Sequence, residues 1–155
     1  MRAVVQRVSR ARVTTGGRET GSIGPGLLVL LGVGQGDGEA TARRLASRIA
    51  TVRVFPDPAG KMNLDVAQAG GAVLVVSQFT LHADTSRGHR PSFIAAGAPG
   101  TARGLCDEFA AALRERGLEV ATGEFGATMD VELVNDGPVT LVLSSGEPAW
   151  EADAG

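Results

Sequence analysis

Two uninterrupted apolar runs constrain this chain more than any other feature: Leu27-Leu28-Val29-Leu30-Leu31, continued by Gly32-Val33, and Ala72-Val73-Leu74-Val75-Val76. A strand with one face in water alternates apolar and polar residues, so a strand that is apolar throughout must be covered on both faces. Gly24-Pro25-Gly26 breaks the chain just before the first run. Neither run approaches the length needed to span a bilayer. The chain must therefore supply layers that cover a central sheet.

Two helical patterns meet that need. From Glu39 the period changes, and Ala42, Leu45, Ala46, Ile49 and Val52 fall on one face while Arg43, Arg44 and Arg48 point elsewhere. Phe55-Pro56-Asp57-Pro58 stops this helix, and residues 59–65 read as a turn with a short extended segment. A second helix is expected from an N-cap at Thr101, burying Leu105, Phe109, Ala112 and Leu113. Asp107 and Glu108 would lie early in it, Arg114 and Arg116 late, with Gly117 as its stop.

The remaining regular segments are strands. Ala3-Val4-Val5-Gln6-Arg7-Val8 is one; Arg12-Val13-Thr14-Thr15 is a second, entering a hairpin at Gly16-Gly17 that returns along residues 19–23. Others are expected at 118–122, 129–134 and 139–143, and residues 82–99 form a long loop of the kind that more often carries function than not. No repeat or linker divides the chain. The fold class is α+β (mixed α/β), a strand-rich sheet system with two amphipathic helices packed on it.

At 155 residues the chain can bury roughly two thirds of its unfolded surface as one domain, without staples. The single cysteine, Cys106, is read as a buried structural thiol, fitting a reducing compartment. No leader precedes Met1-Arg2-Ala3-Val4, so a soluble, cytoplasmic protein without membrane partners is expected. The polar tail, 146–155, with Trp150 its one large apolar residue, is expected to be disordered.

A net charge of −2 argues against non-specific binding to nucleic acid by overall charge. Arginine is nonetheless clustered: at Arg2, Arg7, Arg10 and Arg12; at Arg43, Arg44, Arg48 and Arg53; and at Arg87 and Arg90 around His89. Such clusters are either solvated faces or one basic face for a compact RNA element.

Chemistry-bearing motifs are few. Gly34-Gln35-Gly36-Asp37-Gly38 lacks a Gly-Lys-Ser/Thr ending and is read as a flexible connection, not a phosphate loop. With two histidines seven positions apart and no paired cysteine, neither a metal nor a cofactor is expected. Ser77-Gln78-Phe79-Thr80-Leu81 emerges from the end of the second apolar run, where polar groups are held firmly. It is either a strand end with Phe79 in the core or a set of hydrogen-bonding groups facing a ligand. Asn135-Asp136-Gly137-Pro138-Val139-Thr140 interrupts the last β-stretch. It is either a turn joining two edge strands or a recognition edge of bare, rigid main chain, because glycine removes the side chain and proline the donor.

Together these two motifs closely resemble the signatures of the D-aminoacyl-tRNA deacylases. The likeness continues in order through Gln6-Arg7-Val8, Gly60-Lys61-Met62-Asn63-Leu64, Gln68-Ala69-Gly70-Gly71, Ala83-Asp84-Thr85 and Arg90-Pro91-Ser92-Phe93, covering residues 1–145 as one domain. The resemblance implies the fold of that family and an editing hydrolase that cleaves the ester of D-aminoacyl-tRNA, or of glycyl-tRNA. It implies a homodimer with its active site at the interface, in which a cis Gly137-Pro138 unit rejects L-amino acids and Arg7 fixes its orientation. Ser77, Gln78, Phe79 and Thr80 would bind the aminoacyl group and terminal adenosine, with Gln78 and Thr80 positioning instead of attacking. The 2′-hydroxyl of the tRNA's terminal ribose would assist water, which accounts for the missing base. The alternatives are a relaxed deacylase of small L-aminoacyl-tRNA and a non-catalytic RNA-binding module. DNA is not expected as a partner.

Overall fold

The computed structural model describes residues 1–145, so the expectation for the 146–155 tail lies outside the described residues. Along the chain run β1 (Arg2–Thr15), β2 (Arg18–Ile23), β3 (Gly26–Gly32), α1 (Glu39–Thr51), β4 (Phe55–Pro56), β5 (Met62–Leu64), β6 (Ala72–Ser77), a 3-10 turn (Phe79–His82), α2 (Pro99–Glu115), β7 (Val120–Thr122) and β8 (Asp130–Ser144).

β1 is the hub. Its first half pairs antiparallel with β3, from Arg2 opposite Gly32 to Val8 opposite Gly26, and its second half pairs with β2 across the Gly16-Gly17 hairpin. β8 pairs antiparallel along almost its whole length, from Arg2 opposite Ser144 to Thr14 opposite Asp130. Since the same β1 residues face β8 and either β2 or β3, the latter two share the edge that β8 leaves. The sheet continues from β3 through parallel β6 and β7. It curls until β2 and β7 nearly touch: a Cβ at Gly21 would lie 2.5 Å from the carbonyl oxygen of Thr122.

The two apolar runs become β3 and β6, neighbours at the centre of this sheet. Leu27, Val29, Leu31, Val73 and Val75 pack under Leu45, Ile49, Phe109 and Leu113 of the helices. Leu28, Leu74 and Val76 face the other way and meet Val8, Ala11, Val13 and Ile23 inside the curl. Alternate side chains thus enter two separate cores, which is why no position in either run could be polar.

Three expectations need correction. Residues 3–8 and 12–15 form one strand, because register shifts at Gln6/Val8 and Val8/Arg10 bend β1 without ending it. The second helix begins earlier than Thr101, with Pro99 in its first turn and Ala98 as an N-cap without a side-chain bond. Proline suits that position because it lacks an N–H that would be unsatisfied there and its φ is already helical. Asp107 and Glu108 consequently lie mid-helix, while Arg114 remains in the last turn and donates to the Val120 carbonyl at 3.1 Å. The third correction concerns the strands expected at 129–134 and 139–143, which form the single strand β8 from Asp130 to Ser144.

Candidate active site

Ser77 is the last residue of β6, and the Gln78 amide still donates to the Leu31 carbonyl at 2.8 Å. The chain then tightens into the 3-10 turn, which throws Phe79 outward instead of into the core. Phe79 is 58% exposed and packs edge-to-face on Phe93, with ring centroids 5.0 Å apart. Ser77, Gln78 and Phe79 line a cavity of about 480 Å³, together with Phe93, Phe125 and a backbone-rich wall at residues 96–99. Leu31, Val33, Ala102, Cys106 and Gly126 complete the lining. Thr80 is exposed and outside that lining; its hydroxyl accepts a hydrogen bond from the Gln78 side-chain amide.

The long loop over this cleft is ordered by main-chain bonds. Asp84 and Ser92 exchange both N–H···O bonds at 2.8 Å, Gln35 N–H donates to the Ala95 carbonyl, and Gly97 N–H to the Val33 carbonyl, both at 2.9 Å. These ties fix Phe93 and the 96–99 wall relative to β3. Residues 96–99 and Phe125 were not singled out from the sequence, because they approach Ser77 only through long-range packing.

The site brings no nucleophile with a base. His82 is buried, with Nε2 3.0 Å from the Gly32 carbonyl, and His89 is exposed on the loop. The Cys106 thiol is pushed up to about 11 by burial and by the charge of Asp107, so it stays protonated at neutral pH. It is half-buried at the wall of the cleft. Among the described residues no three His, Cys, Asp or Glu side chains gather to hold a metal ion. What remains is a cleft that can stack a planar group between aromatic rings and orient it by hydrogen bonds.

The second motif folds as a bulge, not as a turn between two strands. Gln6 faces Thr140 and Val8 faces Asn135, so residues 136–139 are pushed out opposite Arg7 while β1 pairs on either side. Arg7 Nε donates to the Asp136 carbonyl at 2.8 Å and Nη1 to the Val54 carbonyl at 2.5 Å, with the Asp136 carboxylate 3.6 Å away. Asn135 buckles the base of the bulge: its Oδ1 accepts the Val139 N–H at 2.8 Å and its Nδ2 donates to the Thr140 hydroxyl at 2.9 Å. The Gly137-Pro138 peptide is cis, and Gly137 has φ +148. A Cβ there would sit 2.8 Å from the Val139 nitrogen. Gly137 and Pro138 are exposed, and neither lines the cleft of its own chain.

Fold and site together define a class: a strand-rich α+β protein with a cleft lined by aromatic rings and polar side chains, and an exposed main-chain prong elsewhere on the sheet. Residues 4–144 match the family described as D-Tyr-tRNA(Tyr) deacylase. A D-aminoacyl-tRNA deacylase of Deinococcus radiodurans is 62% identical over 143 residues, 92% of this chain and 99% of that one. The solved structure of a c-Myc DNA unwinding element binding protein superposes with a TM-score of 0.89 at 40% identity, over 95% of this chain and all of that one. A structure described as a probable eukaryotic D-amino acid tRNA deacylase shares the fold, with a TM-score of 0.76 at 16% identity over 92% and 97% of the two chains. The chain belongs to the D-Tyr-tRNA(Tyr) deacylase family. It is a hydrolase that removes D-amino acids from aminoacyl-tRNA. No helix among the described residues is long and apolar enough to cross a membrane.

Proposed function

We propose that this deacylase separates D- from L-aminoacyl-tRNA by steric exclusion, with Gly137 and Pro138 of the partner subunit closing the side of the cleft where an L side chain would enter. Glycine and D-amino acids avoid that clash, so glycyl-tRNA is also a substrate. The observation that carries the reading is the prong itself: bare main chain, exposed, and anchored at both flanks by Arg7 and Asn135. A flexible loop could not exclude one enantiomer, because it would move aside for less free energy than the discrimination requires. The prong does not line its own chain's cleft, which favours an assembly in which two chains exchange prongs. The enzyme works in the cytoplasm as a homodimer.

Ser77, Gln78 and Phe79 hold the terminal adenosine and aminoacyl group, and Gln78 orients Thr80 beside them. Water attacks the ester carbonyl with help from the 2′-hydroxyl of the terminal ribose, and the ribose 3′-oxygen leaves. This reading rests on the site chemistry: Cys106 stays protonated, His82 is bound to main chain, and no His, Asp, Glu or Lys lines the cleft. The test uses D-Tyr-tRNA, L-Tyr-tRNA, Gly-tRNA, and D-Tyr-tRNA ending in 2′-deoxyadenosine. Cleavage of the D and glycyl esters, with the L and 2′-deoxy esters spared, is expected. Comparable cleavage of L-Tyr-tRNA sinks the steric filter, and rapid cleavage of the 2′-deoxy ester sinks the ribose-assisted step.

A further inference from the structure

The arginines of this chain are not equally available to phosphate. Arg43 is held by Glu115 and Glu108, which lock α1 to α2, and by Glu39 on its own helix, and together these carboxylates keep its guanidinium more firmly charged than usual. Arg10 and Arg12 both reach Glu132, Arg12 at 2.8 Å. Arg7 is spent on two carbonyls. A phosphate reaching any of these must displace an existing partner.

The rim of the cleft differs. Arg103 on α2 lies over the Phe125 ring, with its guanidinium carbon 5.0 Å from the centroid. Phe125 lines the cleft and also a second hollow of about 240 Å³, which Arg103, Ser77 and Cys106 share. Stacking on a ring occupies the face of a guanidinium and leaves its N–H edge free to meet an anion. The acidic groups in that hollow are Asp107 and Glu124, and Arg18 already reaches Glu124 at 3.4 Å. On the loop side, Arg87, His89 and Arg90 lie exposed between the paired Asp84 and Ser92, just before the cleft residue Phe93. Asp84 there is turned inward on Ser86, whose side chain and N–H hold its carboxyl below the usual range.

We propose that Arg103, Arg87 and Arg90 grip the phosphates of the single-stranded 3′ end of tRNA as its last nucleotide enters the cleft. This rests on tRNA being the substrate, and it selects the loop cluster and α2 over the amino-terminal and α1 clusters. Base and backbone are then read by neighbouring groups: aromatic rings for the base, arginines on either rim for the chain that follows it.

The test is fluorescence anisotropy with uncharged tRNA across a salt series, beside hydrolysis of the D-tyrosyl ester of adenosine, which has no phosphate. The Arg87→Gln/Arg90→Gln/Arg103→Gln variant should bind tRNA at least about tenfold more weakly, with a salt slope shallower by about 0.7 for each phosphate no longer neutralised. Its cleavage of the adenosine ester should stay within about twofold of the parent, which also reports folding. Arg10→Gln/Arg12→Gln and Arg53→Gln should leave affinity unchanged. The proposal is overturned if the triple variant keeps parental affinity and slope, or if either control weakens binding as much. Failure of the parent to cleave either ester would refute deacylation itself, while the binding titration would still decide between the arginine clusters.

Discussion

Replacing Arg7 by methionine removes a guanidinium from between two carbonyls while keeping an unbranched stem of similar length. The side chain is 12% exposed; its bond to Val54 is partly buried, whereas its bond to Asp136 lies at the surface. Each charge-assisted hydrogen bond contributes about 1.5–3 kcal/mol. The two losses are unequal. Val54 is a buried residue, so its carbonyl would lose its donor where water cannot easily follow, whereas Asp136 is exposed and its carbonyl can turn to solvent. Unfolding in urea should therefore show a loss of about 2–3 kcal/mol, mostly from the Val54 side. The Asp136 bond matters for selectivity. Freeing one flank of the prong releases roughly the energy of that bond, and about 1.4 kcal/mol corresponds to a factor of ten. The ratio of D-Tyr-tRNA to L-Tyr-tRNA cleavage should accordingly fall by about three- to tenfold. Lysine at this position carries its donors on one compact ammonium instead of a spread fork, so it should serve the two carbonyls less well and fall between the parent and the methionine variant. A variant that loses stability yet keeps its D/L ratio within about twofold would reduce Arg7 to a strand staple and refute its role in orienting the prong.

Other perturbations probe the cleft. Phe79→Ala should raise KM for D-Tyr-tRNA by roughly tenfold with a smaller change in kcat, since base stacking on an aromatic ring contributes about 1–3 kcal/mol; a kcat effect alone would contradict a stacking role. Thr80→Ala should retain activity to within about tenfold if the RNA supplies the assisting hydroxyl, and abolition of turnover with tRNA binding intact would instead indicate a protein nucleophile. The Cys106 thiol is raised from 9.0 to about 11 in the fold, so between those values the unfolded chain releases its proton first and stability should fall as pH rises. Cys106→Ala should flatten that part of the stability profile, measured by urea titration between pH 8 and 11, and an unchanged slope would assign it to another group.

Much of this architecture was legible because it follows from local rules. The continuous apolar runs could only be covered strands, and Gly16-Gly17 between β-rich segments could only be a hairpin. The helix periods located the faces that now hold Leu45, Ile49, Phe109 and Leu113 in the core. The errors arose where a distant partner decides. Separate strands were expected on either side of residues 9–11, yet β2 and β8 flank that part of β1 and carry the strand through it. Asn135-Asp136-Gly137-Pro138 admitted a turn, but β1 continues past it, so the surplus residues bulge and the strand carries on. The cleft was half visible: Ser77, Gln78 and Phe79 stand at a strand end, whereas Phe125 and residues 96–99 arrive from far along the chain without a local signature. Asn135's buckle was hidden for the same reason, because its meaning depends on Val139 and Thr140 being folded back beside it.

The central place of β1 also bears on how the molecule is made. Its pairing with β8 joins Arg2 to Ser144 and Thr14 to Asp130, so an early strand waits for a late one before its second edge is filled. Pairings of such long sequence separation slow folding and leave an unpaired edge available to other chains in the meantime. During translation at about 5–20 residues per second, the amino-terminal sheet would spend several seconds with that edge open. Emergence of β8 from the ribosome, not helix formation, therefore sets the moment at which this sheet can close.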